Sequence, residues 1–262
     1  MSMPRLLVLL LIAAAAYAQN GPAQPAAPRT AQAAAPIDLT GYWVSQIVDE
    51  WRFRVTPQKG DIAYLPINAE ARKVALGWDP DKDTADGAQC KAYGAVGVMQ
   101  RPGRLHVSWK DENNLQIDAD AGTQTRLLHF AAASAPSGDA TWQGYSVAQW
   151  QVRGRALIDL GGIGFVPGGG RPQPTRGQGG TLRVVTTKMR PGYIRENGVP
   201  YSGNAVLTEY MNIVTGQQGD VYLSVTASVE DPTYLNQPFV RTYTFKKVAD
   251  ASGWEPTPCW NK

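Results

Sequence analysis

Hydrophobic and polar residues alternate along most of the chain with a period of two, the pattern of strands that bury one face. Trp51, Phe53 and Val55 alternate with Arg52 and Arg54. Leu105, Val107 and Trp109 alternate with Arg104, His106 and Ser108. After the polar turn Asp111-Glu112-Asn113-Asn114, Leu115, Ile117 and Ala119 alternate with Gln116, Asp118 and Asp120, so these two runs predict one antiparallel hairpin. Further strands are predicted near 41–47, 123–130, 142–152, 181–188, 204–214, 220–229 and 239–247. Short strands punctuated by Gly, Pro and Asn predict an all-β fold, an antiparallel barrel or a sandwich. One short helix interrupts them. Asn68 can cap it, and Ala71, Val74, Ala75 and Trp78 follow i, i+3, i+4, i+7 spacing before Asp79-Pro80. Residues 79–87 are acidic and turn-rich, without the spacing or closing Glu of a calcium-binding EF-hand, and read as a solvated loop.

Two segments at the amino-terminal end of the chain depart from this pattern. Arg5 precedes an unbroken apolar run at 6–16, followed by Ala16-Tyr17-Ala18, so residues 1–18 are expected to be a cleaved signal peptide. As a helix the apolar run spans only about 16 Å, half a bilayer core, and no membrane insertion is expected after cleavage. Residues 19–36 are mostly Ala, Pro and Gln, with nothing large enough to bury, and are expected to form an unordered leader. A single domain over 37–262, in the periplasm or the medium, accounts for the rest.

Charge narrows the partners. The chain has 25 Lys and Arg against 22 Asp and Glu, with no basic run, so no nucleic-acid partner is expected. Cys90 and Cys259 are the only cysteines, and in an oxidising compartment an even pair predicts a disulfide. That bond would pin the Pro-broken tail. The Gly-rich segment 161–180 lacks both the Gly-Lys-Ser/Thr ending of a P-loop and a GxGxxG, and reads as a loop between strands. His106 and His129 are the only histidines, so no His-rich metal cluster is expected, and no cofactor motif is present.

The candidate chemistry is therefore carried by carboxylates, arginines and tyrosines. Alternation places Glu209 on one face with Ala205, Leu207, Met211 and Ile213, where an ionised carboxylate is costly unless a cation sits opposite. Arg126 shares a strand face with Gln124, Leu128 and Phe130, and His129 lies on the other face with Thr125 and Leu127. Two partners for Glu209 are open: His129 as an acid–base couple, or Arg126 as a buried bidentate pair. Asp118 and Asp120 project together beside a turn and read as solvated. The segment 189–202 carries Arg190, Tyr193 and Tyr201 around an Asn197-Gly198 turn, a composition suited to a binding loop. Residues 230–238, with two prolines, read as a structural corner in which Glu230 can hydrogen-bond. Trp43, Trp109, Trp142, Trp150 and Tyr145 fall on several strands, and aromatics facing into a barrel line a pocket.

The stretch from Thr208-Glu209-Tyr210 through Val229-Glu230-Asp231-Pro232-Thr233-Tyr234 to Phe239-Val240-Arg241, with a terminal cysteine, resembles a group of secreted, uncharacterised bacterial proteins. The resemblance covers the last 60 residues or so and implies an exported, lipocalin-like all-β fold with no activity attached. Gly41-Tyr42-Trp43 is similar to the G-x-W that opens the first strand of lipocalin-type barrels. The resulting expectation is a barrel binding a small hydrophobic or aromatic molecule in its interior. Trp109 and Trp150 would be in the wall, Glu209 with Arg126 or His129 the anchor, and Arg190, Tyr193 and Tyr201 the mouth. Two alternatives stand beside it: a carboxylate/His-dependent isomerase, cyclase or hydrolase using Glu209 and His129, and a structural or interaction module of the cell envelope.

Overall fold

A computed structural model describes residues 29–47, 51–55, 57–131, 137–152 and 179–259. The signal segment, residues 19–28 of the leader, and the Gly-rich segment up to residue 178 lie outside the described residues. Nine strands close into a barrel: β1 (Gly41–Gln46), β2 (Arg104–Asp111), β3 (Asn114–Ala119), β4 (Gln124–His129), β5 (Tyr145–Val152), β6 (Gly180–Thr187), β9 (Val206–Thr215), β10 (Val221–Glu230) and β11 (Phe239–Val248). Their order around the barrel is β1-β11-β10-β9-β6-β5-β4-β3-β2. Every neighbouring pair is antiparallel except β4 and β5, which run parallel and share only the pairs Leu128↔Ser146 and His129↔Val147. The chain therefore crosses from one end of the barrel to the other between β4 and β5.

The alternation turns one residue in two inward, and the inward set is the core. Leu105 and Val107, Leu115 and Ile117, Leu182 and Val184, Leu207 and Met211, Leu223 and Val225, and Tyr243 and Phe245 are all buried. Trp43 joins them, its indole N–H donating to the Leu39 carbonyl at 3.0 Å. The middle of the barrel is thus packed with side chains.

One end is capped by the long β1–β2 connection together with the hairpin of β7 (Gly192–Arg195) and β8 (Val199–Tyr201). The connection carries α1 (Trp51–Val55), α2 (Ala69–Gly77), α3 (Pro80–Ala85), a 3-10 turn (Lys91–Tyr93) and α4 (Ala95–Val98). The predicted helix is α2: the Asn68 side chain accepts from Ala71 N, and Ala71 and Ala75 face inward. Trp51 to Val55, predicted as a strand, is one helical turn instead. Its five residues are too few to separate the two periods, and the position is decided by buried Arg54, which donates to the Gln100 and Gln46 carbonyls at 3.1 and 3.0 Å. The acidic stretch read as a solvated loop is α3, with Asp79 as its N-cap and Asp83 buried. Gly198, at φ +82°, makes the predicted tight turn between β7 and β8, pressed against Trp78.

Cys90 and Cys259 form the expected disulfide, across a sequence separation of 169. It holds the tail, whose Thr257 also exchanges bonds with Asp120 and Thr123. The corner at 230–238 is organised by Asp231 rather than Glu230: the Asp231 carboxylate accepts from the Ser202 hydroxyl and from Thr233 N. No helix among the described residues is long and apolar enough to cross a membrane. The capping connection does carry exposed Trp51, Leu76 and Tyr64, the last 99% exposed at φ 61°.

Candidate functional site

Glu209 and Arg126 meet inside the barrel. Arg126 Nη1 donates to Glu209 Oε1 at 3.1 Å and Nη2 to Oε2 at 2.6 Å, with the side chains 2% and 1% exposed. The same Nη2 lies 3.4 Å from Ser146 Oγ and 3.3 Å from Thr186 Oγ1, and those two hydroxyls are 2.8 Å apart. The network thus runs from β4 across β5 and β6 to β9, over the seam that has only two register pairs. Both carboxylate oxygens are engaged by the Arg126 guanidinium, so of the two expected partners Glu209 has the buried bidentate one, and the pair joins β4 to β9.

His129 is not part of this network. It lies on the outer face of β4, stacked on Tyr145 with ring centroids 4.5 Å apart, its Nδ1 2.6 Å from Asn114 Oδ1. Burial holds its pKa below the ordinary imidazole value. The alternation of β4 accounts for this: residues 126 and 129 are an odd number of positions apart, so only one of them can face Glu209.

The residues expected at a mouth belong to the capped end instead. Arg190 is exposed, with its guanidinium 4.6 Å above the Trp142 ring. The Tyr193 hydroxyl donates to Asp83 Oδ2 at 2.8 Å, and burial together with that carboxylate pushes its pKa up. Asp83 also accepts from Trp78 Nε1 and Lys91, so α3 and the hairpin are tied through one buried carboxylate. Arg101 and Glu196 form a second tie, with Arg101 over the Tyr93 ring. Tyr201 is fully buried, and burial raises its pKa. Its hydroxyl has no hydrogen-bond partner among the described residues. Tyr201→Phe is therefore expected to leave stability within about 1 kcal/mol or to raise it, whereas Tyr193→Phe lowers it by about 1–2 kcal/mol. Urea unfolding of the two variants checks the contrast; a large loss in Tyr201→Phe would show that its hydroxyl is paired.

Two expected wall residues do come together, at the opposite end. Trp109, Phe130 and Trp150 point inward from β2, the end of β4 and β5, with centroids 5.4 Å apart for Trp109–Phe130 and 5.3 Å for Phe130–Trp150. All three are half-buried against the core. Phe130 carried only a weak signal in the sequence, its inward parity with Arg126 and Leu128. That it touches Trp150 follows from the parallel β4–β5 contact, which nothing in the alternation marks.

Residues 29–36, the end of the segment expected to be unordered, lie across this row of rings. Ala31 N donates to Asn113 Oδ1 at 3.1 Å, Gln32 N to the Glu112 carbonyl at 3.0 Å, and Trp150 Nε1 to the Ala31 carbonyl at 2.9 Å. An open depression of about 190 Å³, away from this row of rings, is lined by Ser137, Asp139, Thr141, Tyr145 and Lys188. Among the described residues no group of three or more His, Cys, Asp or Glu side chains is placed to hold a metal ion.

These features define a closed nine-stranded barrel with a packed middle, one end capped and an aromatic mouth at the other. No protein-family model, no curated protein and no solved structure matches the chain.

Proposed function

We propose that the protein is an exported β-barrel, periplasmic or secreted, that holds a small apolar or aromatic molecule at its mouth, against Trp109, Phe130 and Trp150. The observation that carries this reading is the inward-facing row of three rings, half-buried above a packed core. Aromatic rings attract one another in offset and edge-to-face arrangements, and binding sites are commonly apolar walls with a few polar groups. Trp150 Nε1 supplies such a polar group. The paired cysteines accord with an oxidising compartment. The reading departs from the lipocalin-like expectation in position: the ligand sits over the core rather than within it, because Arg126, Glu209 and their neighbours fill the middle of the barrel.

Native mass spectrometry of the protein purified from its own host, with Trp150→Ala alongside, tests the reading. A retained small-molecule adduct is expected, weakened at least about tenfold in the variant, as for the loss of an aromatic anchor. Absence of any adduct, together with no binding of added 2-naphthoate, would remove the basis for the mouth as a binding site.

A further inference from the structure

The segment at 29–37 touches the barrel at points spread along its rim. It begins at the β2–β3 turn, where Glu112 and Asn113 hold Gln32 and Ala31. It passes Trp150 on β5 and reaches the first residue of β6, where Pro36 packs so closely on Gly180 that a Cβ there would lie 2.3 Å from Pro36 Cγ. Between those points lies the end of β4, where Phe130 N donates to the Asn113 carbonyl. The segment therefore straps the rim from β2 to β6, over the aromatic row.

Its hold is slight. A local turn, closed by Ala34 N to the Thr30 carbonyl at 2.9 Å, gives it shape. Gln32, Ala33 and Ala34 are exposed, and Ala31, Ala35 and Pro36 are only partly buried. Small side chains bury little apolar surface, so the strap stays in place through the three rim hydrogen bonds and the packing of Pro36 and Ile37. Segments of this kind open locally at far lower cost than the strands beneath them. The Ala31 carbonyl accepts the Trp150 indole N–H, and it is the group a ligand has to replace.

We propose that residues 29–37 are an internal occupant of the mouth, displaced by a planar aromatic molecule carrying an acceptor oxygen that takes over the Trp150 Nε1–H from Ala31. This rests on the mouth being the binding site. The strap lowers apparent affinity by the fraction of molecules in which it is closed, so loosening it tightens binding without touching the site.

The test uses the full chain and the intrinsic fluorescence anisotropy of 2-naphthoate, with naphthalene as the competitor that lacks an acceptor. Ala31→Pro/Gln32→Pro removes both backbone donors to Asn113 and Glu112 and leaves every ring in place. This variant is expected to bind 2-naphthoate about tenfold more tightly than the unmodified chain. In the same strap-loosened background, Trp150→Phe keeps the ring and loses the N–H, and is expected to lose most of the preference for 2-naphthoate over naphthalene. Equal affinity in the unmodified and strap-loosened chains would overturn the strap while leaving the mouth as a binding site. Tighter binding with an unchanged preference in Trp150→Phe would overturn the exchange at Ala31. No binding to either chain would overturn the site and the strap with it. Urea unfolding of the variants establishes that the barrel is intact in each.

Discussion

Arg126→Leu is expected to lower the free energy of unfolding by about 3–5 kcal/mol, and Glu209→Leu by a similar amount, while the double replacement recovers most of the loss. Either single change leaves a charge inside the barrel with no counter-ion, beside the Ser146 and Thr186 hydroxyls alone. Replacing both removes the charges together and leaves apolar side chains of comparable volume among Leu128, Leu207 and Met211. Urea unfolding of the four proteins as a double-mutant cycle measures the coupling directly. Singles costing under about 1 kcal/mol would mean that the groups reach water, and a double as unstable as the singles summed would mean no coupling. The position of the pair sharpens the expectation. Arg126 bridges from β4 to Ser146, Thr186 and Glu209 across the parallel contact that has two register pairs, where β10 and β11 share eight. Hydrogen exchange of β4 and β5 should rise first in either single variant.

Reduction of Cys90–Cys259 is expected to be of comparable weight. Closing a loop of this sequence separation, 169, removes denatured-state entropy corresponding to about 5 kcal/mol in the chain-entropy model. For a domain of this size that corresponds to roughly 10–20 °C in melting temperature. The bond also draws Thr257 onto Asp120 and Thr123, beside Gly122, where the tail crosses the β3–β4 turn. Calorimetry with and without reductant, and of Cys90→Ser/Cys259→Ser, gives the value. An unchanged melting temperature would show that the tail and the capping connection stay in place through their other contacts. A large effect places the protein's working stability in oxidising surroundings, in keeping with the export signal expected at residues 1–18.

Much of the barrel was legible because period-two alternation survives wherever one face of a strand is buried. Nine of the predicted strands are in the barrel, and the parity of residues along them placed Arg126 and Glu209 inward. The same parity placed His129 with Thr125 and Leu127, so the choice between Arg126 and His129 as the partner of Glu209 was contained in the pattern. What failed were segments whose conformation is set from elsewhere. Trp51 to Val55 alternates like a strand but is wound by the carbonyls that Arg54 reaches. Residues 79–87 looked solvated because the partners of Asp83, namely Trp78, Lys91 and Tyr193, include one from the hairpin more than a hundred residues away. The mouth was half legible. Trp109 and Trp150 were marked as wall residues, but their connection through Phe130 depends on a parallel contact that leaves no periodic trace. The strap was not legible, because Ala and Pro contribute backbone and shape there rather than apolar area.

The pairing of β1 with β11 joins Tyr42 to Val248 and Gln46 to Thr244, so the first strand of the barrel waits for the last. A chain emerging from a ribosome, amino terminus first, holds the first eight barrel strands as an open sheet, bare at β1 and β10, until the final strand emerges. Neither edge can be covered early, since β11 is their common neighbour. The barrel is therefore built to stay unclosed for nearly the whole of its synthesis, and to shut in one late event.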